Sequence, residues 1–173
     1  MGGREQKRTR RGFTLLEMMI GLAIVAVLAS LALPSLSATI ARQRLKAAAE
    51  MLSADLAEAR HEAARRGLPL HLHFKTTASW CWATTTTSGC DCATAQQCTV
   101  KATRAADHPG VLLVDAADVR FDPEGGGSAN SAVIQGHALL QSARGEQLRV
   151  SLTRLGRAKV CAPGGELRGY PRC

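Results

Sequence analysis

Arg10-Arg11-Gly12-Phe13-Thr14-Leu15-Leu16-Glu17 leads into an apolar run from Phe13 through Gly21 and Ile24 to Leu33, in which Glu17 is the sole charge and which stops at Pro34. Some 20 residues at about 1.5 Å each make roughly 30 Å of helix, the thickness of one bilayer core. Ahead of it stand Arg4, Lys7, Arg8, Arg10 and Arg11 against Glu5. Basic residues before a span stay in the cytoplasm, which places everything after Leu33 across the membrane. A cleaved secretory signal shares the basic flank, the apolar stretch and a small-residue run, here Ser35-Leu36-Ser37. Glu17 fits that reading poorly. A carboxylate at the centre of a span costs about 2.5–3.5 kcal/mol, less near the interface, and is usually functional; an ordinary single-span anchor meets the same objection.

Residues 10–17 resemble the class III signal of type IV prepilins and type II secretion pseudopilins. The resemblance implies that a prepilin peptidase cuts after Gly12 and methylates the new N-terminus at Phe13. It also implies that Glu17 pairs with the N-terminal amine of a neighbouring subunit during assembly. The chemistry is reasonable on its own terms: glycine leaves the backbone open to a protease at the membrane surface. Pairing the amine with Glu17 would neutralise two charges that are costly apart in lipid.

Outward from the span, Pro34 lacks an amide donor and is expected to kink or interrupt the helix. Leu45, Ala49, Leu52, Leu56, Ala59 and Ala63 then recur at spacings of three and four, an apolar stripe suited to packing on a sheet. Arg44, Lys46, Glu50, Asp55, Glu58 and Glu62 are read as lying off it. Arg65 and Arg66 suit a helix C-terminus, and Gly67 and Pro69 supply the stop. Leu68, Leu70, Leu72 and Phe74 alternate with polar residues, a half-buried strand. Further strands are expected near 79–83, 98–103, 111–121, 132–140, 147–153 and 157–161, with a loop at Gly125-Gly126-Gly127-Ser128.

One broken helix followed only by strands predicts an α+β protein, its helix packed on a mainly antiparallel sheet. This is also the pilin fold. The expected organisation is a leader 1–12, a membrane and assembly helix 13–33, an amphipathic continuation 34–66 and a β-rich domain 67–173. The domain would lie in the periplasm, held by a single pass in the bacterial inner membrane before entering a pilus or pseudopilus.

Six cysteines suit an oxidising compartment. Cys161 and Cys173 are expected to pair around Pro163-Gly164-Gly165, closing a loop of a size that stabilises by about 3 kcal/mol. Cys81, Cys90, Cys92 and Cys98 then pair among themselves in one of three ways, with Cys90–Cys92 the most strained. A four-thiolate zinc site is disfavoured by the lack of paired CxxC arms.

At the C-terminus, Gly156-Arg157-Ala158-Lys159-Val160-Cys161 and Gly169-Tyr170-Pro171-Arg172-Cys173 resemble the ending of the GspH/FimT family, specifically FimT-type minor pilins. Some members carry a Gly-Arg-x-Arg motif that binds DNA in natural transformation. Here Lys159 stands at the second arginine; it can meet a phosphate as a point charge without the planar fork of arginine. The candidate DNA-binding residues are Arg149, Arg154, Arg157, Lys159, Arg168 and Arg172. Three or four phosphate contacts on double-stranded DNA would give a log affinity against log salt slope near −3. A solvated basic rim or a pilin contact is the alternative, and a GspH-type pseudopilin of type II secretion the rival function. Prepilin peptidase, major and minor pilins or pseudopilins, and the inner membrane are the other expected partners.

His71 and His73 share a strand face, and Asp115, Asp118, Asp122 and Glu124 form an acidic stretch; neither has the spacing of a metal site. Trp80 and Trp82 alternate around Cys81 and are read as packing on one sheet face. No nucleophile elbow, phosphate loop or paired metal motif points to an enzyme or a cofactor. The formal net charge of +8 divides unevenly: the leader to Gly12 carries +4, residues 13–143 carry −1 and residues 144–173 carry +5. An electrostatic partner of the mature chain is therefore sought at the C-terminus. If Gly12 is the cleavage site, Gly12→Val leaves the leader attached when the membrane fraction is analysed by mass spectrometry; full processing of that variant contradicts the assignment.

Overall fold

The stripe from Leu45 to Ala63 is buried, and Ala48 joins it. The computed structural model describes residues 13–93, 99–123, 136–153, 155–165 and 167–173. The leader with Gly12, Cys98, Glu124, the 125–128 glycine loop, the first residues of the 132–140 strand and Arg154 fall outside the described residues. The chain divides after Ser37 into two compact units.

A single helix, α1 (Leu15–Arg66), runs through both. The helix is not interrupted at Pro34, because an internal proline removes one amide donor while the turns on either side remain paired. In the first unit the Thr14 hydroxyl accepts the Glu17 N–H at 3.2 Å, an N-cap. The following residues expose their apolar side chains, Leu22 by 65% and Leu28 by 61%, so the helix is long and apolar enough to cross a membrane. At the other end Glu62 bonds both Arg65 and Arg66, which hold its carboxyl down at about 2, and Gly67 at φ 66° ends the helix in a conformation that favours glycine.

In the second unit the helix stripe meets two antiparallel four-stranded sheets. One has the order β3-β2-β1-β5, built from β1 (Leu70–Lys75), β2 (Cys81–Thr85), β3 (Thr99–Arg104) and β5 (Val119–Phe121). The other has the order β4-β6-β7-β8, from β4 (Val111–Ala116), β6 (His137–Ser142), β7 (Gln147–Leu152) and β8 (Ala158–Cys161). Two sheets thus replace the one expected, and the strand expected over 111–121 is two strands. Its halves part at Ala117–Asp118. Asp118 takes the Phe74 N–H on Oδ1 and the His73 ring on Oδ2, while the Ala117 N–H donates to the His137 carbonyl, so the chain is handed from one sheet to the other.

Leu70, Leu72, Val119 and Phe121 from the first sheet and Leu140, Leu148 and Val150 from the second bury against Leu45, Leu52 and Leu56 of α1 in one core. Each such side chain contributes about 1.5–3 kcal/mol of transfer free energy. Trp80 and Trp82 stack at 5.2 Å between ring centroids, with His108 against both. That burial lowers the imidazole pKa of His108.

The reading that placed Asp55 off the stripe is corrected: it is 2% exposed. Its Oδ2 accepts the Trp82 indole N–H at 2.7 Å, and its Oδ1 lies 2.7 Å from Lys101 Nζ, which also meets Glu58. These two carboxylates hold the ammonium well above its usual range. A lone buried carboxylate would cost several kcal/mol, so the half-exposed lysine is what makes this one tolerable. Lys101→Met should destabilise the fold by about 3 kcal/mol in urea unfolding, and adding Asp55→Asn should recover part of the loss. Independent, additive costs would contradict the pairing.

Candidate functional site

Register places the basic residues of the C-terminal region. Along β7 the inward residues are Leu148, Val150 and Leu152, and the outward ones Gln147, Arg149 and Ser151. Arg149 pairs with Cys161 and Ser151 with Lys159, so Arg149 and Lys159 share the outer face of the second sheet. The ladder runs one rung further, where the Thr153 N–H donates to the Arg157 carbonyl at 2.9 Å. Arg157, two residues from Lys159, therefore joins the same face.

The hairpin tip is fixed by its own bonds. The Gly156 N–H donates to the Thr153 carbonyl at 2.8 Å, and the Arg157 N–H to the Thr153 hydroxyl at 3.1 Å. Gly156 has φ 68° and sits against the Arg60 side chain, so both its backbone and the space beside it favour glycine. Arg157 and Lys159 are exposed. Arg149 is half-buried, and its Nε, wholly covered, finds no acceptor among the described residues. A shallow depression beside it is lined by Gly136, His137, Arg149, Ser151 and Leu152.

Arg168 and Arg172 go elsewhere. The segment after β8 folds back, with Leu167 buried in the core and the Tyr170 hydroxyl donating to Glu50 of α1 at 2.7 Å. Burial and this carboxylate push the tyrosine pKa up to about 12. Lys46 lies 5.5 Å from the centre of the Tyr170 ring and donates to the Arg168 carbonyl, so Arg168 is set against the helix. Arg172 bridges to Ala162 and lays its side chain over Gly165. The return is closed by the Cys161–Cys173 disulfide, with Cα atoms 5.0 Å apart. Of the basic tail expected as one surface, Arg149, Arg157 and Lys159 thus share the hairpin face while Arg168 is carried to the helix.

Cys81 is bonded to Cys92, Cα atoms 6.0 Å apart, and Cys90 is also disulfide-bonded. The first bridge ties the 86–93 loop over Cys81 and Ala83 on the outer side of the first sheet. The acidic stretch is engaged: Asp115 meets His137, Asp118 meets His73 and Asp122 meets Arg120. His73 Nδ1 lies 2.6 Å from Asp118 Oδ2, and its Nε2 accepts the Gly89 N–H. Phe13 is 79% exposed, and Glu17 lies exposed in the first turn of α1. The Asp55–Trp82–Lys101 group and the Tyr170–Glu50 contact were not anticipated. For the first, spacing held a signal, since Asp55 lies three residues after Leu52 and four before Ala59.

Comparison with known proteins yields two family matches. The prokaryotic N-terminal methylation motif matches residues 7–33, and the type II transport protein GspH matches residues 48–156. No curated protein and no solved structure matches the chain. The methylation motif implies processing by a prepilin peptidase and assembly as a pilin or pseudopilin, and together with the apolar helix it fits a membrane-anchored subunit of that kind. The GspH match takes in more than half of the sequence, from the helix stripe through β7, and so the chain belongs to the GspH family of minor pilins and pseudopilins.

Proposed function

We propose that this minor pilin is of the FimT type and captures duplex DNA, independently of sequence, on the outer face of the β7–β8 hairpin for uptake in natural transformation. The observation that carries the reading is the shared face of Arg149, Arg157 and Lys159. The orphaned Nε of Arg149 adds to it, because a buried donor without an acceptor costs about 1–3 kcal/mol and a phosphate oxygen would relieve that cost. Arg154, three residues before Arg157 in the sequence, is counted with them as a candidate. Binding is electrostatic and directed at the backbone, since among the described residues no Phe, Tyr or Trp lies on this face to stack unpaired bases.

In this account the peptidase cuts after Gly12, Phe13 is methylated, and Glu17 guides entry into the filament by pairing with a neighbour's N-terminal amine. The domain stands in the periplasm. A second reading, a pseudopilin of a type II secretion system whose domain contacts other tip subunits, draws support from the name of the matched family. It predicts that deletion traps exported enzymes in the periplasm while transformation continues.

The detergent-solubilised chain should retard duplex DNA at low salt, with a log affinity against log salt slope of about −3 for three phosphate contacts. Arg157→Gln with Lys159→Gln should abolish the shift. Absence of any shift from the parent chain sinks the DNA reading and leaves the secretion reading.

A further inference from the structure

We propose that Leu155, at the tip of the β7–β8 hairpin, is an apolar wedge that enters the minor groove of the duplex and opens a base step, while the cations behind it hold the phosphates. The inference rests on the DNA reading and adds to it the one contact that is not electrostatic. Leu155 is 71% exposed, more than any other large apolar side chain among the described residues of the second unit. Single exposed leucines are ordinary on protein surfaces, but the place of this one is not. Tight turns favour Gly, Asn, Asp and Ser, whose polar groups meet water and the backbone. A leucine in that position leaves its apolar surface in water until a partner covers it.

The tip that carries it is braced. The Thr153 N–H donates to the Arg157 carbonyl at 2.9 Å, and the Gly156 and Arg157 N–H groups return to the Thr153 carbonyl and hydroxyl at 2.8 and 3.1 Å. Gly156, at φ 68°, lies on the Arg60 side chain of α1, so close that a Cβ there would stand 3.3 Å from it. Among the described residues of the turn Leu155 has no large apolar neighbour: Thr153 and Arg157 are exposed, and Gly156 has no side chain. A loose tip would lose conformational entropy on insertion, whereas this backbone is ordered before the duplex arrives.

The groove selects the tip. It is about 6 Å wide, enough for a side chain but not for a hairpin whose two backbones alone stand about 4.8 Å apart. Arg157 follows two residues behind Leu155, and Lys159 about 7 Å further along the strand, both exposed, so they meet the phosphates that border the groove. An inserted leucine unstacks one step and kinks the duplex there, and cations on the flanking phosphates hold the bent form. The wedge reads no base edge. Capture therefore stays independent of sequence, except that weakly stacked steps open more readily.

The test compares, by retardation with the detergent-solubilised full chain at low salt, a short matched duplex and the same duplex with one central mismatch. The mismatched step is already partly unstacked, so the parent should bind it about tenfold more tightly, the strength of one base stack. Leu155→Ser should abolish that preference while still retarding the matched duplex with a salt slope of about −3. Leu155→Met, apolar and of similar volume, should keep it. Near-ultraviolet circular dichroism of the stacked indoles reports whether each variant keeps its fold. Should the serine variant misfold, the parent alone decides: a fluorescent adenine analogue that brightens when unstacked should brighten in the matched duplex on binding, and unchanged emission overturns the wedge. Equal binding of both duplexes by the parent, or a preference that persists in the serine variant, also overturns it and leaves the DNA reading standing. Retardation of neither duplex overturns both.

Discussion

The hydrogen bond from the Trp82 indole to the buried carboxylate of Asp55 is the constraint on which the rest of the domain depends. It fixes α1 against β2, an inner strand of the first sheet, at a single register, because a shift of one helical residue would bury the carboxylate with no donor. Trp80, stacked on Trp82, donates its own indole N–H to the Val111 carbonyl of β4 in the second sheet. One aromatic pair therefore ties the helix and both sheets together. Apolar packing supplies most of the free energy, yet packing alone does not specify register; this polar contact does.

The positions of charges relevant to function follow from that arrangement. With the inner face of the second sheet committed to α1, alternation turns Arg149, Lys159 and Arg157 outward. The fold-back after β8 then carries Arg168 to the helix, where Leu167 enters the core and Tyr170 reaches Glu50. What the charge arithmetic presents as one basic tail is divided between the hairpin and the helix. The hairpin face carries half-buried Arg149 and exposed Arg157 and Lys159, whereas on the helix Arg44 and Lys46 are held by backbone carbonyls.

Much of this was legible in the sequence wherever periodicity speaks. The helix stripe, the alternation in β1 and the Cys161–Cys173 closure all follow from spacing and residue type. Asp55 was misread because its charge outweighed its position, though its spacing to Leu52 and Ala59 put it on the buried face. The 111–121 segment was misread for the opposite reason: Val111, Leu113, Val119 and Phe121 keep the same parity across the break, so periodicity continues where the hydrogen bonding does not. The division of the basic tail was invisible, since nothing local in residues 162–173 says that they turn back onto a helix more than 100 residues earlier.

Native-state hydrogen exchange of the full chain in detergent tests most directly the claim that α1 and both sheets form one cooperative unit joined through the tryptophan pair. The amides of α1 from Leu45 to Ala63 should exchange as slowly as those at the centres of β1, β2, β6 and β7, all with the free energy of global unfolding. Helix amides that open at a much lower free energy than the strands would show that the helix can undock from intact sheets, and would contradict the account.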